Sequence, residues 1–170
     1  MANVFLLTGK PGTGKTTIVK EILTRFSLKS GGFYTEEIRE SGTRTGFKLV
    51  TLNGNQVILA HQDFATPYRV SKYGVDIGAL KNIGVSAIQQ AINDCDLIVI
   101  DEIGKMELFS IGFREVVLQA LSSGKKILGT IMLKPNLFAD KIKKHPAVNL
   151  FTVTPENRKY IRDELVHTLG

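Results

Sequence analysis

The sequence predicts an α/β fold, with a mainly parallel sheet, helices on both of its faces and an antiparallel meander set into it. Three observations predict this. Short, almost wholly apolar segments at 4–8, 96–101, 126–132 and 148–153 alternate with segments of helical period. Strands apolar on both sides belong to a parallel sheet covered on both sides. A glycine-rich loop joins the first apolar segment to the first helical one, which is how an α/β unit opens. Residues 32–60, by contrast, alternate with period two around turn signals.

Taken in order, Val4 to Thr8 reads as a buried strand. The stripe Ile18, Val19, Ile22, Leu23 and Phe26 predicts a helix over 16–26. Ser41-Gly42 and Asn53-Gly54 divide residues 32–60 into three antiparallel strands, the second pair being the stronger hairpin signal. Residues 61–83 show no period and carry no assignment. Residues 86–94 form a helix with Ile88, Ala91 and Ile92 on one side, and 96–101 a strand. Ser110 caps a helix with Phe113, Val116, Val117, Ala120 and Leu121 facing inward, and Gly124 ends it. A strand over 126–132, a helix over 136–144 and a strand over 148–153 follow. Thr154-Pro155-Glu156 reads as cap, first-turn proline and early acid of a last helix. The inner stripe of that helix is Ile161, Leu165 and Leu169.

At 170 residues, the chain is expected to be one domain, 1–170, carrying the antiparallel insertion at about 32–60. Hydrophobic residues are 43% and charged residues 22%, the balance of a chain with a proper core. No apolar run approaches the length that spans a bilayer, so no membrane partner is expected. The opening MANVFLLTGK lacks a basic leader and reads as a strand rather than a signal peptide. One cysteine, Cys95, excludes an internal disulfide framework and fits a reducing, cytoplasmic setting. A monomer is the expected state. The net charge of +6 fits solvated lysines or attraction for a polyanion, and charge alone does not choose. His61, His145 and His167 are scattered, so no zinc spacing is present. Nor is there a G-x-S-x-G elbow for acyl transfer.

The chemistry concentrates in two stretches. Gly9-Lys10-Pro11-Gly12-Thr13-Gly14-Lys15-Thr16 fits G-x-x-x-x-G-K-S/T, a spacing that chance alone would supply with a probability on the order of 1%. Its glycines let backbone N–H groups curl inward around phosphate oxygens. The helix that follows adds free N–H groups and the positive end of its dipole. Lys15 would reach the β and γ phosphates, Thr16 would offer its hydroxyl to Mg²⁺, and Thr17 completes the nucleotide-binding stretch.

The second stretch is DEIGKMEL, residues 101–108, at the end of an apolar strand. Asp101 is the candidate metal partner, holding Mg²⁺ through water. Glu102, one residue on, is the candidate base that orients and polarises a water for attack on the γ phosphate. The developing charge asks for a further cation. Lys105 is the first choice by its place in the chain, ahead of Arg39, Arg44, Arg69, Arg114 and Arg158.

With these residues in hand, the chain resembles the thermophilic nucleoside-triphosphatase family, to which the cancer-related nucleoside-triphosphatase belongs. GKPGTGKTT (9–17), GGFYTEEIRESGTRTGF (31–47) and LIVIDEIGKMEL (97–108) carry the resemblance, and the last two are the more specific. The resemblance implies a three-layer P-loop NTPase fold of the additional-strand, catalytic-glutamate class. It implies Mg²⁺-dependent hydrolysis of ATP, GTP, CTP and UTP to diphosphate and phosphate, with little base preference. Nucleotide contacts would fall on 9–16 and around 97–104. The sequence also lacks an N-K-x-D or T-K-x-D run of the guanine-reading kind, which argues against a dedicated GTP switch.

Two other readings stay open on the residues alone. One is a nucleotide or small-molecule kinase, which needs an acceptor pocket and a lid that excludes water. No arginine-dense lid stands out, and Glu102 favours water. The other is a module whose nucleotide turnover regulates contact with nucleic acid or a protein, motivated by the net charge and by 61–83.

Overall fold

The computed structural model describes residues 3–25 and 27–170. Its elements are β1 Val4–Thr8, α1 Lys15–Leu23, β2 Ser30–Glu40, β3 Thr43–Thr51, β4 Gln56–His61, β5 Arg69–Val70 and β6 Tyr73–Val75. There follow α2 Ile77–Ala79, α3 Ser86–Asp94, β7 Leu97–Ile103, α4 Ile111–Ser122, β8 Lys126–Ile131, α5 Leu137–Lys143, β9 Val148–Thr152 and α6 Arg158–Leu169. The nine strands make one sheet in the order β5-β6-β4-β3-β2-β7-β8-β1-β9. Pairings from β2 through β7, β8 and β1 to β9 are all parallel. Those from β2 outward through β3, β4 and β6 to β5 are antiparallel.

Alternation along the strands divides the core. On β1, Val4 and Leu6 face one side while Phe5 and Leu7 face the other; on β7, Ile98 and Ile100 oppose Leu97 and Val99. The first side is covered by α3, α4 and α5 through Ile88, Phe113, Val117 and Ile142. The second is covered by α1 and α6 through Ile18, Val19, Ile22, Ile161, Leu165 and Leu169. This is the expected three-layer arrangement. The loops after β1, β7 and β8 therefore open at one edge, the carboxyl ends of the parallel strands, where ligands of such sheets bind.

Several elements differ from expectation. β2 is shared: Ser30 to Phe33 pair in parallel with Leu97 to Ile100, while Phe33 to Glu40 pair antiparallel with β3. The unassigned 61–83 holds β5, β6 and the start of a helical run. Asp76 caps that run, accepting from the Ala79 N–H at 2.9 Å, and a π-helical stretch over Leu80–Val85 leads into α3. α1 ends at Leu23; the expected position Phe26 lies outside the described residues. β7 runs on to Ile103, so both acids lie within the strand, and the Asp101–Glu102 peptide is cis. At α6, the Thr154 hydroxyl accepts from the Asn157 N–H at 3.3 Å, while Asn157 accepts from the Thr154 N–H at 2.8 Å. Pro155 and Glu156 thus lie in a turn, and the regular helix begins only at Arg158. Among the described residues no helix is long and apolar enough to cross a membrane.

Candidate active site

Strand β1 is buried along its length and hands the chain to the loop at Gly9. Gly9, Gly12 and Gly14 have φ of 149°, 81° and 89°, a region L side chains avoid. A β-carbon at Gly9 would also stand 2.6 Å from the Val153 carbonyl oxygen, so the loop lies directly on the chain leaving β9. The buried Thr13 hydroxyl donates to the Lys10 carbonyl at 2.9 Å and closes the turn. Gly14 caps α1 without a side-chain partner, and the first turn of α1 holds no acid. The N–H groups there keep their capacity for an anion. The Lys15 ammonium folds over the loop and donates to the Gly9 and Lys10 carbonyls, both at 3.0 Å. Lys10, Pro11, Gly12 and Thr17 are exposed along the rim.

Thr16 and Asp101 meet. The Thr16 hydroxyl donates to Asp101 Oδ2 at 2.8 Å, and the Thr130 hydroxyl donates to Oδ1 at 2.5 Å. The Thr35 backbone N–H donates to the same carboxylate. Asp101 is only 2% exposed, and burial raises its pKa against these donors and the Lys15 charge. Burial also raises Glu102, with the Asp101 charge adding to it and Lys15 opposing. A carboxyl held up in this way is a better proton acceptor at neutral pH than an ordinary glutamate. Farther along, Glu107 is buried on a short 3₁₀ turn over Glu107–Phe109. Its pKa stands well above the usual value, first from burial and then from the charge of Glu102.

The expected site residues are therefore met unequally. The loop, Lys15, Thr16, Asp101 and Glu102 converge at one end of the sheet. Lys105 is exposed and makes no ion pair among the described residues. Arg39 and Arg44 pair with Glu37 at 2.8 and 3.3 Å. Arg69 donates to the Phe64 and Lys72 carbonyls, both at 2.8 Å. The Nε of Arg114 is buried with no hydrogen-bond partner. Arg158 lies against the glycine loop, its Nη1 3.1 Å from a β-carbon built on Gly14. The sequence reading passed over Thr130, a polar residue inside an apolar strand and so a detectable signal. It also passed over Thr35, which acts through its N–H and leaves no signal, and over Glu107.

The donor set suits a small hard cation. Asp101 and Thr16 offer oxygens, and no group of three or more His, Cys, Asp or Glu side chains able to hold a metal exists among the described residues. Mg²⁺ takes one or two protein ligands and fills the rest of its shell with water and phosphate.

Comparison with known proteins shows the family and the fold. The model of a family described as NTPase matches residues 4–166. The nucleoside-triphosphatase THEP1 of Thermotoga sp. (strain RQ2) is 47% identical over 164 residues, covering 96% of this chain and 94% of that protein. The crystal structure of THEP1 from the hyperthermophile Aquifex aeolicus superposes with a TM-score of 0.91 at 33% identity, covering 98% of this chain and 99% of that one. The solution structure of a human cancer-related nucleoside triphosphatase gives 0.84 at 37% identity, covering 100% and 98%.

Proposed function

Because the chain belongs to the NTPase family, we propose that it is a nucleoside-triphosphatase, specifically a Mg²⁺-dependent phosphohydrolase of broad base specificity that turns ATP, GTP, CTP and UTP into diphosphate and phosphate. The observation that carries this reading is the 2.8 Å hydrogen bond from Thr16 to Asp101, which ties the glycine loop to the strand that bears Glu102.

The chain's own residues divide the work as follows. The loop from Gly9 to Thr17 binds the phosphates through backbone N–H groups. Lys15 leaves the Gly9 and Lys10 carbonyls for the β and γ oxygens when nucleotide arrives. Thr16 and Asp101 would hold Mg²⁺, which when bound neutralises charge on the phosphate oxygens. Glu102 accepts a proton from water as the water oxygen bonds to the γ phosphorus and the bond to the β–γ bridging oxygen breaks. The nucleoside diphosphate leaves with that oxygen. Lys105 remains the proposed cation near the γ phosphate by its position beside the acids. Residues 1–170 would work as one domain and as a monomer on free nucleotides, in the reducing, cytoplasmic compartment that a single cysteine, Cys95, fits.

The test is phosphate release with Mg²⁺ from ATP, GTP, CTP and UTP by the wild type and Glu102→Gln. Release from all four, with the variant binding nucleotide but losing turnover by about 10²-fold or more, is expected. Normal turnover by the variant would remove Glu102 from the mechanism. Binding without release by the wild type would favour phosphoryl transfer to an acceptor other than water.

A further inference from the structure

We propose that Arg158 is a second cation of the nucleotide site, clamping the diphosphate portion that substrate and product share. The inference rests on the nucleotide-hydrolase reading of the glycine loop and adds to it a residue outside both motif stretches.

The chain after β9 walls the loop at two points. Val153 lies against Gly9, and Arg158 lies against Gly14: a β-carbon at Gly14 would stand 3.1, 3.8 and 3.9 Å from Nη1, Cδ and Cζ of Arg158. Arg158 and Arg162 are one turn apart on α6 and share a face. That face looks onto α1, because Arg162 pairs with Glu21 of α1 at 3.1 Å. The two arginines fare differently. Arg162 has two acidic partners, Glu21 and Asp163. Arg158, exposed at the start of α6, has none among the described residues, and its side chain makes no hydrogen bond to them.

Its surroundings make that lack informative. The start of α1 has no acid in its first turn and an uncapped set of N–H groups. A guanidinium set beside the positive end of a helix dipole is repelled unless an anion comes between them. Lys15 flanks the same loop, lying on the Gly9 and Lys10 carbonyls. A phosphate cradled by the α1 N–H groups therefore has an ammonium and a guanidinium within reach. The guanidinium fork matches two phosphate oxygens at once. Phosphates nearest the helix start are those of the diphosphate portion, so the clamp serves diphosphate and triphosphate alike.

The experiment is equilibrium binding of a nucleoside diphosphate and of a non-hydrolysable triphosphate, both with Mg²⁺, together with steady-state kinetics. It uses the wild type, Arg158→Ala, Arg158→Lys and the exposed neighbour Lys159→Ala. For Arg158→Ala, affinity for both ligands is expected to fall about tenfold, KM to rise in step, and kcat to stay within about threefold. Arg158→Lys should be intermediate and Lys159→Ala unchanged. Unchanged affinities would overturn the proposal. So would a lost kcat at unchanged diphosphate affinity, which would put the guanidinium at the γ phosphate. If the wild type binds both ligands but releases no phosphate, the hydrolase reading fails, and the affinities still decide the role of Arg158.

Discussion

The Glu102 carboxylate lies against the Cα of Gly104. A β-carbon built on Gly104 would stand 2.9 Å from both Cγ and Cδ of Glu102, with Oε1 nearer still. The glycine leaves the space that the proposed base occupies. Its own backbone is outside the left-handed region, so alanine is allowed there on conformational grounds.

Gly104→Ala should accordingly act on activity and not on folding. The new methyl meets Cγ and Cδ of Glu102 as well as its oxygen, so the side chain must turn to another rotamer to admit it. The carboxylate would then leave the position from which it orients water. A kcat loss of about 10²-fold at unchanged diphosphate affinity and near-unchanged Tm is expected. Steady-state kinetics beside thermal melts would check it, and wild-type kcat in a well-folded variant would show that the position of Glu102 is unimportant.

Asp101→Asn tests the metal assignment. The amide keeps the shape of a group that receives the Thr16 and Thr130 hydroxyls and the Thr35 N–H. The charge facing the cation is lost, and one of the two accepting oxygens becomes an NH₂ donor, so the hydroxyl against it must turn to accept. With Mg²⁺ present, kcat should fall by about 10²–10³-fold. The gain in nucleotide affinity that Mg²⁺ gives the wild type should shrink, while binding in EDTA should stay as it was. A Mg²⁺ titration monitored by bound diphosphate decides this. An identical Mg²⁺ dependence in both proteins would place the cation elsewhere.

The parts of the molecule legible in the sequence are those in which one period or one motif dominates. The apolar strands, the stripes of α1, α3, α4 and α6, the glycine loop and the adjacent acids all have this character. The stretch 61–83 hid for two reasons. β5 and β6 are two and three residues long, too short to alternate, and the π-helical turn at Leu80–Val85 spoils the 3.6-residue period ahead of α3. The later residues of β2 alternate and so read as part of the insertion. Its parallel pairing with β7 depends on a partner 67 residues away, Ser30 on Leu97. The site was legible where it is written in consecutive residues. Thr130, Thr35 and Arg158 join it only through the folding of β8, β2 and α6.

Glu107 predicts an unusual pH dependence of stability. Its carboxyl titrates well above the ordinary value of 4.5, because it is buried and lies near the charges of Glu102 and Asp101, against N–H groups of its own turn. The folded state therefore holds a proton that the unfolded chain has released. Its stabilising contribution is complete below pH 4.5 and is lost as pH rises toward the folded pKa. Asp101 and Glu102 are shifted the same way and add to the slope. Glu107→Gln keeps the shape of the protonated acid and removes the ionisation. In Mg²⁺-free buffer the variant should melt with the wild type near pH 4.5 and above it at pH 8. The gap should be about 2–4 °C for each kcal/mol of charge burial avoided. Tm measured from pH 4.5 to 8.5 gives the answer: parallel curves for the two proteins would mean that Glu107 titrates alike in the folded and the unfolded chain.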